Sequence, residues 1–372
     1  MDQGKRLLIV SNGPVPTPGQ TVVEGGGLRC WGLARGLAAQ PGAPAVTVAY
    51  QRGFFKPGST GRHDGIDVSC WDLPEVPDLI ARFDAVLVSY CMGELTRTIV
   101  RAARPDQQII LDCYVPIHVE VCARESADRG RELQSYVADA EGWHEALRRG
   151  DLFLCASEAQ RLYYLGVLAS CGRLNPQTYG EELLLVVPYG TYRDAPITED
   201  KPITRAIGGS SAAKVLWFGG VYPWFDLRGL IDAVGLVDRE TPAKLVIVGA
   251  KNPFTTHPDF LARSREVIEH AARPEHRERV VVQDWVDFHQ RADWYLDADI
   301  VVLVNRPGDE NRLAWRTRLV DFIWAGVPIV TNGGDPLGER LIAAGAAERF
   351  PSLEPTAMAS TLADLLSDRG RL

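Results

Sequence analysis

The chain has 372 residues, 46% hydrophobic and 24% charged, with a net charge of −8, which reads as a water-soluble globular protein of two domains. Residues 1–190 hold 18 Lys and Arg against 22 Asp and Glu, and the remainder holds 22 against 26, so neither half is a basic slab for nucleic acid or anionic lipid. With no 18-residue apolar window and only a short apolar run at the N-terminus, the expectation is a cytoplasmic protein with no integral membrane segment and no export signal.

Val/Ile/Leu-rich runs recur along the chain, most followed by a helical pattern: RLLIVSN, AVTVAY, AVLVSY, QIILDCY, LFLCAS and LLLVVPYG, then KVLWFGG, KLVIVGA, RVVVQDW, DIVVLVN and VPIVTNG. Near-continuous apolar runs suit strands buried on both faces of a parallel sheet, and their alternation with helices predicts two successive doubly wound α/β units. The Pro-, Gly-, Thr- and Ser-rich stretch around 189–213 separates the two series. The expected layout is a Rossmann-like domain over 1–190, a linker over 191–212, a second Rossmann-like domain over 213–355, and a C-terminal helix over 356–372. Seven cysteines, all in the first half and without a C-x-x-C pair, read as small buried hydrophobes.

Four segments stand out in chain order. In VVEGGGLRCWGLARGLA, Gly25, Gly26 and Gly27 open an amphipathic helix soon after the first strand, where free amides favour phosphate. Cys30 stands where a dinucleotide fingerprint needs its last glycine, which excludes that reading. In LDCYVPIHVE, His118 follows a strand end and a proline turn, a position open to substrate contact or to a structural role. In LWFGGVYPWFDLRGLIDA a strand again ends in Gly219 and Gly220, and Tyr222 and Trp224 are candidates for acceptor contact or for packing. In ENRLAWRTRLVDFIWAGVPIVTNGGD, Arg312, Arg316 and Arg318 surround a helix start, where guanidinium groups suit a diphosphate. Asp321, one turn into that apolar helix, needs a partner, and ribose hydroxyls qualify. The seven histidines form no H-E-x-x-H or other ligand pattern, and Asp297 and Asp299 read as a loop cap rather than a metal–diphosphate pair.

These segments resemble the family-4 retaining glycosyltransferases over nearly the whole chain. EGGGLRCWGLARGLA resembles that family's Gly-rich donor-phosphate loop, LFLCASEAQRLYYLGVLASCGRLNP with VVPYGTYRD resembles the end of its N-terminal domain, and RLVDFIWAGVPIVTNGGD resembles its nucleotide-binding helix and strand. The resemblance implies the GT-B fold, two Rossmann-like domains facing a cleft. It also implies a retaining, metal-independent transfer from a nucleoside-diphosphate sugar, GDP- or UDP-linked, with no cofactor.

The site residues so implied are Gly26, Gly27, Gly219, Gly220, Arg312, Arg316, Thr317 and Arg318 at the diphosphate, and Asp321, Gly249 and Trp285 at the nucleoside. Tyr222 and Trp224 fall at the acceptor, and His118, Glu310 and Arg316 in catalysis. The chain departs from the family at three places: Leu313 stands where the first of two spaced glutamates is usual, and Gly220 and Phe225 stand where the loop usually carries cations. Arg312, Arg316 and Arg318 are then the cations left for the phosphates, with Arg228 as a spare. The acidic N-terminal half favours a soluble small-molecule acceptor over a lipid-linked one. The Arg-rich, Lys-poor composition fits a high-GC bacterial genome and an antibiotic or secondary-metabolite pathway. Polysaccharide or envelope assembly, a GT-B sugar-nucleotide epimerase, and a non-catalytic nucleotide-sugar binding protein are the alternatives.

Overall fold

The computed structural model describes residues 4–54, 59–89, 93–124, 126, 128–237, 242–253, 255 and 257–368. It divides into two compact units, one of Met1–Val121 and Asp128–Gly190, the other of Cys122–Ala127 and Thr191–Leu372.

In the first unit the chain runs β1 (Arg6–Ser11), α1 (Gly25–Ala38), β2 (Ala45–Gln51), β3 (Gly61–His63), β4 (Ile66–Trp71), α2 (Val76–Ile80) and β5 (Ala85–Ser89). It continues through α3 (Gly93–Ala102), β6 (Gln108–Asp112), α4 (Ile117–Cys122), α5 (Arg129–Arg149), β7 (Leu152–Cys155), α6 (Glu158–Ser170) and β8 (Leu184–Val186). The strands form one sheet in the order β3-β4-β2-β1-β5-β6-β7-β8, parallel throughout except for the β3–β4 pair. Apolar side chains cover both faces, Leu8, Val10, Val86 and Val88 on one and Leu7, Ile9, Val48 and Leu87 on the other, as expected of strands that read as continuous apolar runs.

Strands β3 and β4 are absent from the sequence-based series because β3 is only three residues long and the six residues of β4 alternate buried with polar, partly exposed positions instead of forming a continuous apolar run. Their connection nevertheless has a local signature: Asp64 (φ 50°) and Gly65 (φ 80°) both take left-handed backbone, the Asp-Gly geometry that a two-residue hairpin requires.

One buried ion pair ties this unit together. Arg29 on α1 donates from Nε and Nη2 to the two carboxylate oxygens of Asp112 at the end of β6, both at 3.0 Å, and from Nη1 to the Val187 carbonyl beyond β8. Its guanidinium also lies 5.2 Å from the Tyr189 ring centroid. Of the described cysteines, Cys30, Cys113, Cys155 and Cys171 are buried, whereas Cys70 is half-buried and Cys122 exposed, so the reading of all seven as core hydrophobes holds for part of the set; Cys91 lies outside the described residues.

The second unit runs α7 (Pro202–Ala206), β9 (Ala213–Phe218), α8 (Leu227–Leu236), β10 (Ala243–Val248), α9 (Pro258–Ala271), β11 (Val280–Gln283), α10 (Arg291–Asp297) and β12 (Ile300–Leu303). It ends with α11 (Asp309–Leu313), α12 (Thr317–Ala325), β13 (Ile329–Thr331), α13 (Pro336–Ala343), β14 (Glu348–Arg349) and α14 (Pro355–Ser367). Its strands are all parallel, in the order β11-β10-β9-β12-β13-β14. The order reverses between β9 and β12, which opens a crevice at their carboxyl ends where ligands of such sheets sit.

Within the 191–212 stretch, α7 places Ile203 and Ile207 in the core of this unit, and α14 adds Met358, Leu362, Leu365 and Leu366 to it by packing on α8. Asp297 and Asp299 are anchors: Asp297 accepts from the Thr204 amide and hydroxyl and from Lys214 Nζ, and Asp299 accepts from the Lys214 amide. No helix among the described residues is long and apolar enough to cross a membrane.

Candidate donor-binding site

In the second unit three strand ends converge. Beyond β9, Gly219 takes φ 108°, and beyond β10, Gly249 takes φ 84°, both open to glycine without strain. A Cβ on Gly249 would lie 3.3 Å from the Gly219 backbone and 3.4 Å from the Trp285 ring beyond β11, so these three residues pack without a gap. Opposite them, α12 begins with Arg316 as its N-cap, in extended backbone, and Thr317 and Arg318 in its first turn. The Thr317 and Arg318 amides precede the first intrahelical hydrogen bond and carry the positive end of the helix dipole.

Arg318 reaches from α12 onto the β9 end. It donates from Nη2 to the Gly220 carbonyl, and its guanidinium stands 4.5 Å from the Phe225 ring centroid and 4.7 Å from that of Trp217. A Cβ on Gly219 would come within 2.8 Å of its Nε, so the glycine makes room for the arginine. Gly220 and Phe225 are the two positions where the family resemblance implies cations, and the head group of Arg318 lies against both from another element. Arg318 Nη1 is buried and without a partner, and no carboxylate pairs with this side chain among the described residues. Burial, and then the neighbouring Arg316, lower its pKa to about 10, which still leaves it protonated at neutral pH.

Arg316 is placed differently. It is 7% exposed and pairs bidentately with Glu310 of α11, at 3.0 and 2.7 Å, while also donating to the Asn311 side-chain carbonyl at 2.9 Å. Asn311 in turn donates to the Gly333 carbonyl at 3.0 Å. Glu310 therefore neutralises Arg316, and Asn311 ties it to the loop after β13. Nearby Asp335, fully buried, caps α13 by accepting from the Gly338 amide; burial raises its pKa. Arg312 projects into solvent and pairs with Asp309, 3.2 Å away.

Asp321 lies on α12 with Tyr295 Oη donating to it at 3.3 Å and the Arg291 guanidinium forming an ion pair with it at 3.5 Å. Its carboxylate thus already has protein partners, which the sequence did not reveal, and burial still raises its pKa. Tyr222 and Trp224 stack with centroids 5.1 Å apart and an interplanar angle of 27°, and Phe260 packs edge-on against both. Tyr222, Asn252, Phe260 and Ser264 border a solvent-open cavity of about 410 Å³.

In the first unit, Gly26 and Gly27 are needed for close approach. A Cβ on Gly27 would meet the Pro14 carbonyl oxygen at 1.9 Å, and one on Gly26 would meet Asn12 Oδ1 at 2.3 Å. The loop after β1 is thus folded tightly over the start of α1. His118 on α4 sits edge-on to Trp143 at 4.7 Å, with Tyr163 Oη 3.3 Å from its Nδ1 and its Nε2 buried without a partner. Burial, followed by the charge of His144, lowers its pKa to about 4, so the imidazole is neutral at pH 7.

The fold is that of GT-B glycosyltransferases. The Anabaena protein HepE in complex with UDP-glucose has a TM-score of 0.66 to this chain at 14% identity, covering 99% of this chain and 91% of that one. Sucrose-phosphate synthase from Thermosynechococcus elongatus has a TM-score of 0.65 at 14% identity and the same coverage. An alpha-glucosyltransferase in complex with UDP-glucose and DNA containing an abasic site has a TM-score of 0.56 at 11% identity, covering 99% and 92%. More narrowly, residues 212–368, which include every candidate site residue of the second unit described above, match the family model of glycosyl transferases group 1. No curated protein sequence matches the chain.

Proposed function

We propose that the protein transfers a sugar from a GDP- or UDP-linked donor to a soluble small-molecule acceptor with retention of anomeric configuration and without a metal ion, in a bacterial antibiotic or secondary-metabolite pathway. The observation that carries the donor reading is Arg318. It is a protonated guanidinium with a buried, unpartnered Nη1 and no carboxylate among the described residues, held where β9, α12 and the sheet's reversal meet. A part-buried guanidinium whose Nη1 is shut off from water without a counter-ion calls for an anion, and a diphosphate offers several charge-assisted bonds to the guanidinium and to the amides of Gly220, Thr317 and Arg318. The UDP and UDP-glucose complexes of the similar Anabaena structures make uridine the first base to test.

The chemistry asks for stabilisation of negative charge on the departing phosphate oxygen. Arg318 and the first turn of α12 supply it, and Arg316, oriented by Glu310, lends its free Nε edge. The acceptor hydroxyl attacks from the face that the diphosphate leaves, and the leaving oxygen takes the acceptor proton, so that no carboxylate nucleophile is required. Asp321 with Gly249 and Trp285 receives the nucleoside, Tyr222 and Trp224 the acceptor, and neutral His118 a substrate hydroxyl through Nε2.

Thermal-shift measurements with GDP, UDP, TDP and ADP, followed by turnover with the matching nucleotide sugars, test the reading. A shift with one nucleotide and slow release of nucleoside diphosphate support it, and no shift with any of the four refutes it. A second reading comes from the likeness to a UDP-N-acetylglucosamine 2-epimerase of Listeria monocytogenes, with a TM-score of 0.52 at 12% identity. Conversion of the donor to a new nucleotide sugar would favour that one.

A further inference from the structure

A second cluster of polar side chains lies in the helical layer of the C-terminal unit and takes no part in the proposed transfer. Asp232 on α8, His270 in the last turn of α9 and His276 in the turn that follows bring their ligand atoms together, all within 4.8 Å of one another. His270 Nε2 stands 2.7 Å from Asp232 Oδ1 and His276 Nε2 3.1 Å from the same oxygen, with the two imidazole centroids 4.8 Å apart. Both histidines are buried, at 5% and 8% exposure, while the Asp232 side chain is 38% exposed.

The local chain builds this arrangement. A turn in which the His276 amide donates to the Arg273 carbonyl folds the segment back beneath α9. Gly235, three residues after Asp232 and so on the same face of α8, leaves room for the second ring; its Cβ would stand 3.4 Å from His276 Nδ1. Arg279 is committed to the carbonyls of Val234 and Val237, and Arg228, one turn before Asp232 on α8, pairs with Glu266.

The geometry points to a transition-metal site of two imidazoles and one carboxylate, suited to Zn²⁺. Ligand atoms around a tetrahedral ion with bonds of about 2.0–2.1 Å lie about 3.3 Å apart, against 2.7 and 3.1 Å from Asp232 Oδ1 to the two imidazole nitrogens, so rotation of the three side chains converts the observed hydrogen-bonded triad into a coordination sphere. The fourth position faces solvent on the exposed side of Asp232 and takes water. Binding moves no electrons: the proton on each Nε2 is transferred to Nδ1, which is unpartnered in both rings and able to hold it. Because α9 begins at the strand ends of the donor site and runs about 20 Å to His270, the ion is remote from the donor and its role is to pin α9 to α8. This inference is independent of the proposed transfer.

The test is calorimetric titration of the metal-free, thiol-alkylated full chain with Zn²⁺, beside Asp232→Asn and His276→Gln variants checked for folding by circular dichroism. Alkylation removes exposed Cys122 as a competing ligand. One equivalent in the wild type, missing from both variants, with a rise in Tm of about 5 °C at hundredfold excess over Kd in the wild type alone, is the expected result. Identical stoichiometry in all three proteins, or no binding by the wild type, overturns it. Imidazole ¹⁵N resonances of the wild type serve if a variant misfolds: zinc must move those of His270 and His276, and shifts confined to other histidines overturn the site.

Discussion

Replacing Arg318 by methionine separates binding from folding. The substitution keeps the length and most of the apolar stem that lies against Phe225 and Trp217 while removing the charge and the bond to the Gly220 carbonyl. Hydrogen bonds to a charged group contribute about 1.5–3 kcal/mol each, so loss of one direct phosphate contact lowers nucleoside-diphosphate affinity about 10- to 150-fold. The free protein should not suffer: Arg318 has no carboxylate partner to strand, and Arg316 repels it. The expected outcome is a weaker UDP isotherm with an unchanged or raised Tm. Arg316→Met is the control with the opposite signature. It leaves Glu310 buried at 7% exposure without its bidentate partner, and breaking such a pair costs about 3–5 kcal/mol. Equal nucleotide affinity in wild type and Arg318→Met, combined with a lower Tm for that variant, would show that the arginine is a structural strut and sink the donor-site assignment.

Asp321→Asn should weaken nucleoside binding and leave pyrophosphate binding unchanged by calorimetry; equal loss of both would remove the ribose role. His118→Phe should flatten the acid limb of stability. The folded pKa of His118 is about 4 against about 6.5 for a free imidazole, so the neutral ring contributes fully above pH 6.5 and that contribution, about 2–3 kcal/mol, is lost as pH falls from 6.5 to 4. Urea titrations of both proteins across that range measure it, and parallel curves would contradict the burial argument. Gly27→Ala should destabilise the first unit by about 1–3 kcal/mol or more, because the new methyl meets the Pro14 carbonyl oxygen, which belongs to backbone.

The alternation of apolar runs with helical patterns carried enough information for the doubly wound architecture, because central parallel strands are buried on both faces and tolerate little else. Peripheral elements were hidden for the complementary reason: β3 and β14 are short edge strands with exposed positions, and α7 is a single turn inside a polar stretch. At the candidate site, the arginine-rich helix start and the missing cations at Gly220 and Phe225 were both legible. Their union in space was not, since nothing local tells that Arg318 crosses to the β9 end while Arg316 turns back to Glu310. That division of labour depends on a contact between residues 98 apart in the chain. Likewise Asp321 announced its need for a partner, but Arg291 and Tyr295 come from a different helix and bear no spacing relation to it.

The Arg29–Asp112 pair has a consequence for how this chain varies over time. With side chains 1% and 0% exposed, neither partner can be lost alone without stranding a charge, a step of about 3–5 kcal/mol against a domain stability of about 5–15 kcal/mol. Exchange of both for apolar residues is close to neutral, yet it is reached through a strongly destabilised single mutant. The two positions should therefore change together or not at all among descendants of this sequence. The segments they join, the start of α1 and the strand end leading to His118, inherit a fixed relative placement while the surrounding loops are free to diverge.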